Sequence, residues 1–311
     1  MMEQDKLMGT VLPDTKISYS QNFLESSSLV ENLLDRTSIN NNDVVYEIGA
    51  GKGIITSGLL RRSKRVVAFE LDERFYQELK EKFQSSESFE LHREDFLTTN
   101  LPLSTYKVFS NIPFNITADI IRKLTEADVP PEDAYLVVQQ EAAYRFLGLP
   151  YSKETLLSLL IKPFFELNII HKFKRADFKP TPKVDSLMLG IHTLPNPVIE
   201  PQSRDIYRDF ITYAFNQWRP TLKEALRNLF TPNQFARLSK DLDFLQSATP
   251  TQLNFNQWLG LFNYFLSGVD SHKRTVVMDS SKRLANQQKK LQRVHRTRID
   301  RNWRYKEKEK L

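Results

Sequence analysis

The sequence predicts an α/β fold: a doubly wound, mostly parallel sheet followed by a small all-helical C-terminal domain. Three observations predict it. Between residues 44 and 139, short apolar runs rich in β-branched residues alternate with helical stretches, the pattern of parallel strands joined by crossover helices. A glycine-rich turn follows the first of these runs. Then Leu194-Pro195-Asn196-Pro197-Val198-Ile199-Glu200-Pro201 reads as a linker, after which apolar residues recur only at helical spacing.

In order along the chain, residues 1–17 read as a loose leader. Ser26 to Thr37 reads as a helix because Leu29, Val30, Leu33 and Leu34 share one face. Asn40-Asn41-Asn42-Asp43 is a turn cluster. Val44–Ile48 is the first strand, and the helix after its glycine turn runs through about Arg62. Val66–Leu71 is the second strand, and Asp72 is positioned to cap a helix reaching Phe83. Phe89–Asp95 and Lys107–Ser110 are the third and fourth strands, Thr117–Leu124 is helical, and Ala134–Gln139 is the fifth strand. Phe164–Phe173 and Ser186–Leu194 complete seven strands, with the last hairpin antiparallel. Beyond the linker, Ile206, Phe210, Ala214 and Phe215 share a helical face, as do Leu222, Leu226 and Leu229, and Leu253, Trp258, Leu261, Phe262 and Phe265. The domains are therefore 1–17 (leader), 18–195 (sheet), 202–270 (helical) and 271–311 (basic tail).

Composition excludes several classes. The chain has no cysteine, so disulfides and cysteine–zinc sites are out. The polar N-terminus lacks the apolar core of a secretory signal. The most apolar stretch, Leu156 to Ile170, is interrupted by Lys162, Pro163 and Glu166, which rules out a membrane span. A cytoplasmic protein is expected. His92, His171, His192, His272 and His295 have no metal-ligand spacing, so no metal is expected. The formal charge of +6 conceals an asymmetry: residues 271–311 hold 14 Lys and Arg against four Asp and Glu, leaving the rest of the chain net negative. Such a tail suits a polyanion, and its charge density predicts disorder in the free protein.

Tyr46-Glu47-Ile48-Gly49-Ala50-Gly51-Lys52-Gly53 ends a strand and opens a helix. Its glycines allow a tight turn and close ligand approach. The form G-x-G-x-G matches neither the dinucleotide nor the phosphate-loop pattern, and it suits S-adenosylmethionine (SAM), which has no phosphate to cradle. Glu70, 21 residues after Gly49 at the end of the second strand, is an acceptor for both ribose hydroxyls. Asp95 closes the third strand, where it can accept from the cofactor's adenine amine, with Phe96 packing nearby.

Asn111-Ile112-Pro113-Phe114 ends the fourth strand and specifies amine methylation. The N6 lone pair of adenine is delocalised into the ring and nucleophilically weak. The Asn111 side-chain carbonyl and the Ile112 backbone carbonyl can accept from that amine and turn its lone pair toward a sulfonium methyl. Pro113 fixes the turn. Phe114 can stack on a flipped base.

Together these motifs resemble the rRNA adenine N6-dimethyltransferase superfamily, and within it the Erm group, which methylates 23S rRNA and confers macrolide–lincosamide–streptogramin B resistance. The resemblance begins at Ser20-Gln21-Asn22-Phe23-Leu24 and extends through Phe178-Lys179-Pro180-Thr181-Pro182-Lys183-Val184-Asp185-Ser186 to about Leu266. It implies a seven-stranded methyltransferase sheet, with Gln21, Asn22, Leu24, Gly49, Gly51, Glu70, Asp95, Phe96 and Asn111 around SAM. Asn111, Ile112 and Phe114 would hold the adenine, and Phe178 would stack on its other face. The implied partner is 23S rRNA, protein-free or in an early assembly intermediate, met by a monomer. Lys179 and Lys183, with Lys172, Lys174 and Arg175, would face RNA phosphates. Trp218-Arg219-Pro220 reads as a helix–helix turn or an RNA contact. A small-subunit 16S rRNA dimethyltransferase and a non-catalytic RNA-binding factor on the same fold are the alternatives.

Overall fold

The computed structural model describes residues 22–290. The leader 1–17, Gln21 and residues 291–311 lie outside the described residues. The chain divides into two compact units, one of residues up to 144 with 166–193, the other of 145–165 with 194 onward.

The first unit runs β1 (Phe23–Leu24), α1 (Ser27–Leu34), β2 (Val44–Ile48), α2 (Ile54–Leu60), β3 (Arg65–Phe69), α3 (Glu73–Phe83), β4 (Phe89–His92), β5 (Lys107–Asn111), α4 (Thr117–Thr125), β6 (Asp133–Gln139) and α5 (Gln140–Leu147). After α6 (Leu156–Ile161), which belongs to the second unit, come β7 (Phe165–Lys172), β8 (Phe178–Lys179) and β9 (Ser186–Thr193). Among the described residues, seven strands form one sheet in the order β4-β3-β2-β5-β6-β9-β7. β2 pairs parallel with β3 and β5, β3 with β4, and β5 with β6, while β9 is antiparallel to β6. The winding reverses between β2 and β5. In open sheets of this kind the crevice at the carboxyl ends of such a strand pair is where ligands bind.

Local chemistry sets these boundaries. Ser26 Oγ accepts from Leu29 N (3.1 Å) at the start of α1, and Asp72 Oδ1 accepts from Arg74 N (2.9 Å) at the start of α3. Val30, Leu33 and Leu34 of α1 and Ile55 and Leu59 of α2 pack on Val45, Val66, Phe109, Tyr135 and Val137 of the sheet. Two strands are shorter than their apolar runs suggest. β3 ends at Phe69 and β4 at His92, so Glu70 and Asp95 lie beyond the strand ends. The Glu70 carboxylate gathers the N–H groups of Gly51 and Asp72, and Asp95 Oδ1 accepts from Leu97 N (2.9 Å). Each turns the chain out of the ladder.

A two-stranded ribbon not foreseen from the sequence joins the ends of this unit: β1 and β8 pair antiparallel, Phe23 opposite Lys179 and Leu24 opposite Phe178.

The second unit holds α6, α7 (Arg204–Phe215), α8 (Leu222–Ala225), α9 (Pro232–Asp241), α10 (Phe255–Gly268), α11 (Ser271–Arg274) and α12 (Ser280–Lys290). Its core is aromatic: Phe210 lies 4.8 Å from Phe265 and 5.8 Å from Phe262, and Tyr207 meets Phe262 edge-on at 5.0 Å. Residues 145–165 fall in the helical unit, although the sequence reading runs the sheet domain through to 195. Tyr207 Oη donates to Leu159 O (2.9 Å), and Leu194 N to Phe164 O (2.9 Å). The described part of the tail, residues 271–290, also differs from expectation. Residues 271–290 fold as α11 and α12, α12 packs on α7, and Val277 is fully buried. Apolar anchoring and capping there outweigh charge repulsion.

Candidate functional site

The site is built at the carboxyl ends of β2 and β5. Gly49, Gly51 and Gly53 all have positive φ (72°, 53° and 71°), which other residues adopt only at a cost. Gly49 N donates to Phe69 O (2.7 Å) and Gly53 N to Ala50 O (2.9 Å), folding the loop over β3. A Cβ at Gly51 would stand 2.7 Å from Phe23 Cε1, whose ring closes over the loop.

A shallow cleft, open to solvent, is lined by Asn22, Phe23, Gly49, Asn111, Ile112, Pro113 and Phe114. The structure thus brings Asn22, Gly49, Asn111, Ile112 and Phe114 together as the motifs suggest. Asn111 Nδ2 donates to Asn22 O (2.7 Å). With the amide nitrogen committed there, Oδ1 is left as the acceptor. Phe114 is half-buried, with Ile112 buried behind it.

Glu70 stands behind the glycine loop, buried, accepting from Gly51 N (2.8 Å) through Oε2 and from Asp72 N (2.9 Å) through Oε1. Burial raises its pKa, opposed by those N–H groups and that of Leu71. A carboxylate has about four acceptor sites, so with these three N–H groups it retains room for about one further donor; at 2% exposure it does not itself line the cleft. Below it Glu47 is 1% exposed and accepts from Thr56 Oγ1 (2.6 Å). Burial pushes the Glu47 carboxyl up to about 8; the Thr56 hydroxyl opposes this and the Glu70 charge adds to it.

Other motif residues are placed differently. Leu24 is 3% exposed in the sheet core and does not line the cleft. Asp95 is exposed and caps a turn. Phe96 is buried edge-on to Phe69 (5.2 Å), with Lys123 Nζ 5.3 Å from its ring. Phe178 is 3% exposed and T-stacked on Phe173 at 5.1 Å. It props the β1–β8 ribbon, whereas the motif implies a ring presented to a base. Lys172, Lys174, Arg175, Lys179 and Lys183 are all exposed; Arg175 Nε meets Asp185 Oδ1 at 2.8 Å and Lys179 pairs with Glu25 at 3.7 Å. In the other unit, Trp218 is 93% exposed with Arg219 beside it.

Sequence reasoning assigned no role to Glu47 or to the Phe23 ring. A carboxylate inside the apolar strand Val44–Ile48 signals the first. No short-range signal predicts that Phe23 would cover Gly51. Among the described residues, no group of His, Asp or Glu is placed to hold a metal, and no helix is long and apolar enough to cross a membrane.

A positive-φ glycine loop at the sheet's reversal point, a carboxylate past the next strand and an amide-lined cleft fit SAM. The fold and site are those of a SAM-dependent methyltransferase. The chain belongs to the family described as Ribosomal RNA adenine dimethylase, which it matches over residues 13–267, and it is thereby an rRNA adenine N6-methyltransferase. It is 32% identical over 250 residues to an rRNA adenine N-6-methyltransferase of Limosilactobacillus reuteri, spanning 80% of this chain and 96% of that one. It is 31% identical over 229 residues to the ribosomal RNA small subunit methyltransferase A of Mycoplasmopsis pulmonis, spanning 71% and 87%. The solved structure of the 23S rRNA methyltransferase ErmE superposes with a TM-score of 0.72 at 26% identity, covering 79% of this chain and all of that one.

Proposed function

We propose that this enzyme methylates N6 of one adenine in 23S rRNA and thereby confers macrolide–lincosamide–streptogramin B resistance. It acts as a cytoplasmic monomer on protein-free or early-assembly RNA. The Asn111–Asn22 hydrogen bond in the cleft carries the mechanistic reading. Likeness to Erm-type proteins, including ErmE, supports the choice of large-subunit RNA.

Gly49, Gly51, Asn22 and Glu70 would hold SAM, with Glu70 accepting from a ribose hydroxyl and Asp95 from the cofactor's adenine amine. Bound SAM supplies a methyl group activated on a positively charged sulfur. Asn111 Oδ1 and the Ile112 carbonyl accept from the two N6 hydrogens of the target adenine. This pulls the lone pair out of conjugation and favours the tetrahedral nitrogen of the transition state. Phe114 stacks on the extruded base, worth about 1–3 kcal/mol. The nitrogen cation formed is acidic, so its proton passes to solvent without an ionised base. Lys179, Lys183 and their exposed neighbours contact phosphates.

Primer extension on rRNA from cells expressing the chain tests this reading. A stop at one large-subunit adenine, with raised macrolide tolerance, is expected. Modification confined to 16S rRNA, with unchanged susceptibility, would instead favour the small-subunit activity that the Mycoplasmopsis relative's name describes.

A further inference from the structure

The family match ends at residue 267, and the chain beyond it is fastened to the helical unit. Asp209 of α7 accepts from Asp279 N (2.6 Å), Ser281 N (2.9 Å) and Ser281 Oγ (2.6 Å), fixing the first turn of α12. Ser280 is buried and Leu284 half-buried, one turn apart, and Asn216 Nδ2 donates to Gln287 Oε1 (3.4 Å) on the same side. Two arginines serve the fold: Arg274 Nη1 donates to Leu266 O (3.0 Å), and Arg283 Nη1 to Met278 O (2.8 Å). Lys273, Lys282 and Lys289 are exposed, Lys282 in an ion pair with its neighbour Asp279 (2.8 Å). From residue 291 the sequence adds eight Lys and Arg against three Asp and Glu.

We propose that residues 270–290 form a docked platform for the phosphate backbone of folded RNA. It presents Lys273, Lys282 and Lys289 on a surface fixed to the helical unit. The proposal rests on rRNA being the substrate. Lysine is a compact point charge that suits phosphate rather than base edges. A free tail would need no capping aspartate to bind a polyanion. A docked one avoids part of the ordering cost when RNA binds.

The experiment measures binding of the full chain to a folded 23S rRNA fragment across a salt series, with SAM affinity as the control for folding. Replacing Lys273, Lys282 and Lys289 together by Ala is expected to reduce the slope of log affinity against log salt by about 2–3, since each duplex phosphate contact contributes about 0.9. SAM affinity stays unchanged. Asp209→Ala raises the net charge by one, yet is expected to weaken RNA binding at least about threefold by releasing α12, with faster amide exchange over residues 280–290. Exchange there that accelerates while RNA binding holds or tightens overturns the platform and leaves a diffuse tail. If exchange does not accelerate, the lysine variant decides, and an unchanged slope overturns the proposal. Wild-type chain that transfers no methyl to any rRNA defeats the substrate reading instead, so the two failures are distinguishable.

Discussion

Asn111 Nδ2 donates to the backbone carbonyl of Asn22 at 2.7 Å, a bond that spans the chain from the end of β5 to the segment just before β1. It orients the amide that the chemistry needs and pins the strand that carries Phe23 over the glycine loop. Asn111→Ala removes both the N6 acceptor and the tether. Single-turnover methyl transfer should fall about 100- to 1,000-fold, the usual loss for one preorganised polar group in the transition state. The SAM dissociation constant, measured by calorimetry, should change less than about tenfold, because Gly49 and Glu70 remain. A variant that keeps its rate would remove Asn111 from the chemistry.

Gly51→Ala tests the loop. The substitution combines φ of 53° with a Cβ 2.7 Å from the Phe23 ring, so Phe23 must leave its place over the loop. SAM binding should become undetectable or nearly so, while the thermal midpoint drops only modestly, because the sheet core contains neither residue. Normal SAM affinity in this variant would show that the ring does not close the site.

Glu70→Gln puts an amide where two backbone N–H groups point. At least one donor, Gly51 N or Asp72 N, then meets another donor or nothing. A ribose hydroxyl would also lose its charged acceptor, a bond worth about 1.5–3 kcal/mol, so SAM affinity measured by calorimetry should fall about 10- to 100-fold, and unchanged affinity would remove Glu70 from the cofactor site.

The fold class and the cleft were legible because they depend on short-range patterns: β-branched runs, glycine spacing, and the asparagine–proline turn after β5. What was not legible depends on distant partners. Nothing local in Phe178 says that it pairs with Leu24 across the β1–β8 ribbon and packs on Phe173. Its motif therefore suggested an exposed ring where the structure has a buried one. Residues 271–290 read as part of a disordered tail until Asp209, 70 residues upstream of Asp279, is known to cap α12. Likewise residues 145–165 look continuous with the sheet domain, and only the Tyr207–Leu159 bond and the Leu194–Phe164 bond tie them to the helices.

Glu47 gives the site a pH-dependent stability. Its folded pKa of about 8 lies above the ordinary carboxylate value of 4.5. A raised pKa means that its contribution is fully present below about pH 4.5 and is lost as pH rises toward 8, since the unfolded chain ionises first. Glu47→Gln should therefore gain stability relative to wild type as pH rises from 5 to 8. Thermal melts across that range check it, and parallel curves for the two proteins would mean that Glu47 is ionised in the fold.

At the opposite edge of the sheet, Lys107 Nζ lies 2.9 Å from Asp43 Oδ2 and 3.9 Å from Asp133 Oδ2, and donates to Ser38 O (2.9 Å). His192 Nδ1 meets Asp133 Oδ1 at 2.6 Å. The Asp133 hydrogen bond raises the pKa of His192, against burial. Burial works to raise the Asp133 carboxyl, but His192, Ser38 and Lys107 together lower it. The signs bracket a window. The histidine's contribution is present below its ordinary 6.5 and lost as pH rises through its raised value; the aspartate's is present above 3.8 and lost as pH falls through its lowered value. His192→Gln should flatten the loss of stability above about pH 6.5 and, because the imidazole also helps lower Asp133, shrink the loss on the acid side. Lys107→Met removes the charge partner of the largely buried Asp43 carboxylate, while Asp133 keeps His192 and Ser38, and removing one partner of a buried pair costs up to about 3–5 kcal/mol. Chemical denaturation at pH 7 should show that loss, while SAM affinity at 25 °C holds, because the network lies at the amino ends of β5 and β6 and the cleft at the carboxyl ends of β2 and β5. A Lys107→Met chain as stable as wild type would mean that water, and not Lys107, compensates Asp43.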